Sequence, residues 1–303
     1  MSKSILFAIF IIDKTNASSI DKKVIFKDEE GEELDNTFIS AFSRVLIYSS
    51  KDKIDNGIKD NSSNYFIIKP SSEISAISYL LYDMDNRKII ASKNANKVLP
   101  IASITKLATA VIAERLIDKD KKIEITEDVL KTQGDTGGLF LWEKFTRDEL
   151  LYPLLMTSSN DSAEALAREY GRKAFIKKMN DWAKSIGAKN TFFYDPTGLS
   201  PKNVSTARDI SIMSEWIQNN QKEIFDITNT KTKIIRTHTW TNPIRFLNIS
   251  SYRGGKNGYI PESGLTGLEL FDIGSPKKLY SIVILGSMDR ANDILSILNN
   301  TLK

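Results

Sequence analysis

The sequence predicts an α+β fold: strands from the two ends of one domain share an antiparallel sheet flanked by helices, with a helical lobe inserted between them. Three observations predict it. Short apolar runs bounded by turn residues begin near Glu73 and return after residue 230. Between them, residues 147–219 carry helical spacing with start and stop signals. A last periodic stretch, Ala291 to about Leu302, adds one helix after the final strand.

At 303 residues the chain is long enough for one sizeable domain or two small ones. Its net charge of +4 is mild, and no dense Lys/Arg block interleaved with aromatics points to nucleic acid as a partner. Cysteine is absent, which excludes disulfides, thiolate zinc sites and cysteine nucleophiles. The single histidine, His238, cannot build a multi-histidine metal site, and in its polar, β-rich surroundings it reads as a surface strand residue. If the chain is a hydrolase, lysine is the better candidate for its base.

Taken in order, residues 1–17 read as an export signal. Lys3 supplies positive charge, Ile5 to Ile12 an apolar core, and Thr15-Asn16-Ala17 a small-residue cleavage site. That core is too short to span a bilayer as a helix; a buried first strand is the alternative. Residues 18–72 mix charged tracts with short apolar pieces and read as an N-terminal extension without a functional signal. The main domain is expected over residues 73–303.

There, Ile74–Tyr82 and Lys88–Ala91 are strand candidates joined by the turn Asp83-Met84-Asp85-Asn86-Arg87. The apolar run after Pro100 reads as a largely buried helix opening near Ser103 and reaching Leu116. A polar, turn-rich stretch with Gly134, Gly137 and Gly138 follows. Helices are expected at Arg147–Met156, Asp161–Tyr170 and Lys173–Ile186, the last closed by Gly187, and at Thr206–Gln218 with Ser205 as its N-cap. The later strands are Lys231–Thr239, Gly255–Ile260, Leu265–Ile273 and Lys278–Ser287, with Gly274-Ser275-Pro276-Lys277 as a turn.

Three short motifs carry candidate chemistry. Ser103-Ile104-Thr105-Lys106 puts a hydroxyl and an amine three residues apart at a helix start, hence on one face. Backbone N–H groups left free at a helix start can hold developing negative charge. Ser158-Ser159-Asn160, between two helices, could present a hydroxyl and a carboxamide to one pocket, or could simply cap the following helix. Gly254-Gly255-Lys256-Asn257-Gly258-Tyr259 opens a strand whose glycines permit close backbone approach and whose edge could receive an extended peptide. Each alone is weak; their order and settings make them strong together.

On these motifs the chain resembles the serine-type D-alanyl-D-alanine carboxypeptidases, the low-molecular-mass penicillin-binding proteins, over roughly residues 74–290. Accessory segments add to the likeness: Asp195-Pro196-Thr197-Gly198-Leu199, Ser205-Thr206-Ala207-Arg208-Asp209 and Thr241-Asn242. The resemblance implies a β-lactamase/transpeptidase-like fold, an extracytoplasmic location, peptidoglycan stem peptides as substrate and β-lactams as covalent inhibitors; it is compatible with peripheral membrane contact. It implies Ser103 as nucleophile, Lys106 as base, and Ser158 and Asn160 as catalytic partners, with no metal and no organic cofactor needed. Lys256, Asn257, Gly258 and Tyr259 would bind substrate, with the backbone N–H groups of Ser103 and Tyr259 as oxyanion donors. A free lysine titrates near ~10.4, so the base must be kept uncharged; burial and the second lysine both oppose its charge. One residue departs from the family pattern, Asn257 standing where the family has threonine. Its two N–H donors would keep a contact to the substrate's carboxylate available.

Rival readings remain. A β-lactamase on the same fold would need a glutamate to activate the deacylating water, and no glutamate motif stands out between Asn160 and Lys256. A D-Ala-D-Ala endopeptidase shares every motif. A non-catalytic cell-wall-binding relative would draw support from Asn257 and from the N-terminal extension.

Overall fold

The computed structural model describes residues 5–12, 22–28, 74–134 and 137–302. Two compact units divide the chain, residues 1–72 with 248–250 and Glu73–Leu247 with Ser251–Lys303. In the first, β1 (Ile5–Ile12) pairs antiparallel with β2 (Lys22–Asp28). The apolar core of the expected export signal is thus a strand here; its flanks, and the rest of the extension, lie outside the described residues.

The second unit begins with β3 (Ser78–Asp83) and β4 (Lys88–Lys93). β5 (Leu99–Pro100) leads through a 3-10 turn (Ala102–Ile104) into α1 (Thr105–Leu116). The turn-rich stretch holds β6 (Lys122–Glu124), α2 (Glu127–Leu130) and β7 (Lys144–Thr146), all too short to leave a periodic signal. The helical lobe continues with α3 (Arg147–Met156), α4 (Asn160–Tyr170) and α5 (Arg172–Ser185). After β8 (Val204–Ser205) come α6 (Ala207–Asn220) and α7 (Glu223–Thr228). A hairpin of β9 (Thr232–Ile235) and β10 (His238–Thr241) precedes β11 (Tyr252–Ile260), β12 (Gly264–Ile273), β13 (Lys278–Ser287) and α8 (Arg290–Thr301).

The sheet is antiparallel throughout, in the order β11-β12-β13-β3-β4. Strands from both ends of the domain therefore meet at β13 and β3, and the lobe is the insertion between them, as the element order predicts. Strand alternation sorts the buried residues onto two faces. Leu80, Leu268, Leu270, Val283 and Leu285 join the main core, which is filled by α1 and its neighbours. The alternate residues Ile282, Ile284 and Phe271 are equally buried and belong to the opposite face, where α8 packs on β12 and β13 through Ile294 and Ile297. α1 is apolar nearly all round, as a helix enclosed by others must be.

Three local expectations need correction. The run Lys231–Thr239 is two strands, because Arg236 adopts φ 55° and the chain doubles back. The N-cap of α6 is Thr206, whose hydroxyl accepts the Asp209 N–H; Ser205 pairs with Leu99 instead. His238 is buried rather than on the surface. In β10 the odd-even pattern turns His238 and Trp240 inward and the two threonines outward. The imidazole stacks on Trp240, meets Phe145 edge-on, and pairs Nε2 with Glu143 Oε1 at 2.8 Å.

Candidate active site

Ser103 lies in the 3-10 turn at the head of α1, held from two sides by glycines. Ala102 takes a left-handed conformation, φ 47°, which costs a residue with a side chain about 1–2 kcal/mol. Gly198 is so close that a Cβ there would collide with the Ala102 carbonyl, and a Cβ on Gly258 would stand 2.7 Å from the Ser103 nitrogen. Thr266 on β12 donates to Ile101 O at 3.1 Å. The backbone of β11 thus runs in contact with the amide of the candidate nucleophile.

Lys106, the second residue of α1, lies one turn beyond Ser103 with no exposed surface. Its Nζ is 3.0 Å from Ser103 Oγ and donates to Asn160 Oδ1 at 2.7 Å and Thr197 O at 2.6 Å. Asn160 Nδ2 donates to Gln133 O at 2.8 Å, which fixes the amide with its oxygen toward the lysine.

The capping reading of the second motif is realised. Ser159 is the N-cap of α4, its Oγ accepting the Ser162 N–H at 3.0 Å. Ser158 (φ 64°) and Asn160 flank the cap, and each meets a lysine amine. Ser158 Oγ accepts from Lys256 Nζ at 3.1 Å. The 158–160 segment therefore touches both lysines, one through a hydroxyl and the other through a carboxamide. Next along, Asp161 is fully buried and neither of its oxygens meets a protein donor. Burial raises its carboxyl pKa to about 6.

Lys256 on β11 is only 3% exposed and also donates to Asn257 O at 3.0 Å. The side chain of Tyr259 is largely exposed. Asn257 departs from its expected role. Lys256 and Gly258 share the face that meets the Ser103 turn, so Asn257 between them belongs to the other face. There its Oδ1 would lie 3.2 Å from a Cβ on Gly267, beside the Arg290 stem of α8, and it accepts no hydrogen bond. On that same face Gly255 leaves room for Glu269, which accepts Tyr252 OH at 2.7 Å. Burial raises the Glu269 carboxyl to about 7, against the Tyr252 hydrogen bond and the charges of Arg290 and Lys256.

Sequence reasoning gave no role to several groups at the site. Thr197 contributes a backbone carbonyl, which residue type does not reveal. Glu269, on the far face of the sheet, had a signal: it is an acid in an apolar strand, which must be buried with partners. Glu164, one turn beyond Asn160, is committed to Arg172 by contacts of 2.8–3.1 Å. Among the described residues no group of three or more His, Cys, Asp or Glu could hold a metal ion, and no helix is long and apolar enough to cross a membrane.

The profile of the D-alanyl-D-alanine carboxypeptidase family (Peptidase S11) matches residues 65–269, and the chain belongs to that family. A D-alanyl-D-alanine endopeptidase of Escherichia coli (strain K12) is 37% identical over 202 residues, 64% of this chain and 64% of that protein. The D-alanyl-D-alanine carboxypeptidase DacF of Bacillus subtilis (strain 168) is 32% identical over 211 residues, 64% of this chain and 54% of its own length. The chain thus spans between half and two thirds of the length of these two relatives. Penicillin-binding protein D2 from Listeria monocytogenes, in its cefotaxime-bound form, superposes with a TM-score of 0.69 at 23% identity, covering 76% of this chain and 98% of that one. That likeness shows a shared fold.

Proposed function

We propose that this chain is a serine-type D-alanyl-D-alanine carboxypeptidase acting on peptidoglycan stem peptides through an acyl-enzyme. One observation carries the reading: a buried lysine amine 3.0 Å from a serine hydroxyl, with its other two described contacts to pure acceptors. A neutral amine has two N–H groups and one lone pair. In that form Asn160 Oδ1 and Thr197 O can each take an N–H group while the lone pair accepts the hydroxyl proton of Ser103. Removal from water opposes the charged form of Lys106.

Ser103 Oγ attacks the carbonyl carbon of the penultimate D-alanine as its proton passes to Lys106 Nζ. The tetrahedral oxyanion develops between the head of α1 and β11, where the Ser103 and Tyr259 N–H groups are the donors proposed to hold it. Collapse breaks the peptide bond, and Ser158 relays a proton to the departing D-alanine amine. Water then attacks the ester carbonyl as its proton passes to Lys106, which returns it to Ser103 Oγ when the acyl C–O bond breaks. Lys256, within reach of Ser158, supplies positive potential to the peptide's terminal carboxylate.

Family membership and the D-alanyl-D-alanine peptidase activities named for the relatives support an extracytoplasmic location, with residues 1–17 as the export signal. The fold shared with a cefotaxime-bound penicillin-binding protein supports β-lactams as covalent inhibitors. The commitment of Glu164 to Arg172 weighs against a β-lactamase. A second reading, cleavage of cross-linked peptides, is favoured by the endopeptidase name of the 37% identical relative. Product analysis on monomeric pentapeptide and cross-linked dimer muropeptides separates the two.

A fluorescent penicillin is expected to attach covalently to the purified protein, and Ser103→Ala to abolish the label. Persistent labelling of Ser103→Ala would remove the nucleophile assignment.

A further inference from the structure

We propose that Asp195 positions the base: its carboxylate folds the loop 195–200 so that the Thr197 carbonyl meets Lys106. This inference rests on the reading of Ser103 and Lys106 as nucleophile and base.

Asp195 is 6% exposed and collects five donors. Its Oδ1 accepts from Thr197 N–H at 2.8 Å, Thr197 Oγ1 at 2.7 Å and Gly198 N–H at 2.7 Å. Its Oδ2 accepts from Ser200 N–H at 2.9 Å and Asn203 Nδ2 at 2.8 Å. Burial alone raises a carboxyl pKa, but the hydrogen bonds from Thr197, Ser200 and Gly198 outweigh it and hold this one below its ordinary value, so the anion persists at neutral pH.

With these N–H groups turned in toward one carboxylate, two carbonyls of the loop turn out toward α1. Pro196 O accepts from Thr109 Oγ1 at 2.6 Å and Thr197 O from Lys106 Nζ at 2.6 Å. Lys106 and Thr109 are three apart on one helix face, so the loop docks at two points and its register on α1 is fixed. Gly198, at φ 88°, carries the chain beneath the Ala102 carbonyl, tying the same loop to the turn that holds Ser103.

The chemical consequence concerns the direction of one hydrogen bond. By taking an N–H of Lys106, Thr197 O helps to aim the amine lone pair at Ser103. Without that acceptor the amine can rotate and offer an N–H to Ser103 Oγ, making the hydroxyl an acceptor when it must donate. Asp195 touches no reacting atom; it is a positioning residue, and its loss slows proton removal while leaving the binding groups in place.

The test is stopped-flow acylation by a fluorescent penicillin over a concentration series, which separates noncovalent affinity from the acylation rate constant. Wild type, Asp195→Ala, Asp195→Asn and Ser103→Ala are compared. In Asp195→Ala the rate constant should fall about 10- to 100-fold, as for a displaced catalytic group, with affinity nearly unchanged. Asp195→Asn keeps the Oδ1 acceptor and should fall about three- to tenfold. A merely structural role predicts a smaller labelled fraction reacting at the wild-type rate; that result, or wild-type rates in both variants, overturns the proposal. If Asp195→Ala does not fold, Asp195→Asn decides alone by the same criterion. Wild-type protein that takes no label removes the parent reading and this one together, whereas failure of this inference alone leaves wild-type labelling intact.

Discussion

The two walls of the site are built on opposite principles. The helical wall, α1 with the 158–160 segment and the loop at Asp195, places its groups by hydrogen bonds: Lys106, Asn160 and Asp195 are buried and each holds named partners. The strand wall, β11, places its backbone by leaving side chains out. A Cβ on Gly254 would lie 2.5 Å from Phe225 O, one on Gly255 would strike Glu269, and one on Gly258 would press on Ser103 N. The helical wall fails when a polar group is removed and leaves its partner unsatisfied. The strand wall fails when a methyl group is added.

Gly258→Ala tests that contrast most severely. The new Cβ would stand 2.7 Å from Ser103 N, 2.7 Å from Thr266 Oγ1 and 2.9 Å from Ala102 Cβ, none of them the loose end of a flexible side chain. β11 must move away from the Ser103 turn, and acylation by a fluorescent penicillin should fall on the order of 10²-fold. Overpacking of this kind costs roughly 1–3 kcal/mol, so the fold should survive and circular dichroism should stay native. Wild-type acylation in a folded Gly258→Ala protein would mean that the walls have slack between them.

The same contrast governs what the sequence discloses. Groups that act through side chains on a regular element are legible: Ser103 and Lys106 by helical spacing, Lys256 by its place in a glycine-flanked strand. The sheet order follows from strands at both ends of one domain. Contributions made by the backbone are not legible, since any residue type supplies a carbonyl like that of Thr197. The orientation of Asn257 was legible, because alternation with Lys256 sends it to the far face, and the family's threonine pattern obscured that. His238 had the same signal in His-Thr-Trp-Thr, where inward and outward positions alternate. Elements of three or four residues such as β6 and α2 give no periodicity to detect.

A smaller effect is expected within the helical wall, from Asp161, which carries a buried carboxyl without a donor. Its pKa in the folded chain is about 6, above the ordinary 3.8. From about pH 4 to pH 6 the unfolded chain releases this proton first, so stability attributable to Asp161 falls as pH rises through that window and stays lost above it. Asp161→Asn removes the penalty. Its melting temperature should match wild type near pH 4 and exceed it by about 2–4 °C at pH 7, the shift expected of roughly 1 kcal/mol in a domain of this size. Parallel melting curves across pH 4–7 would show that the carboxylate finds compensation, and Asp161 would then be no exception to the rule of partnered polar groups.

The smallest effect belongs to Asn257→Thr, and it sharpens the contrast from the strand side. If β11 works through its backbone and Lys256, the side chain at 257 is a matter of packing against Gly267 and the Arg290 stem. Threonine suits a strand better and removes an amide oxygen that accepts no hydrogen bond. Stability should rise by up to about 1 kcal/mol, and the acylation rate constant and noncovalent affinity should stay within about threefold of wild type, well under the tenfold that 1.4 kcal/mol represents. A tenfold change in affinity for a carboxylate-bearing penicillin would mean that the residue at 257 reaches the substrate from the cleft face, as the family's threonine pattern implies. The strand wall would then contribute a second side chain beside Lys256, and its dependence on glycine would no longer set it apart from the helices opposite.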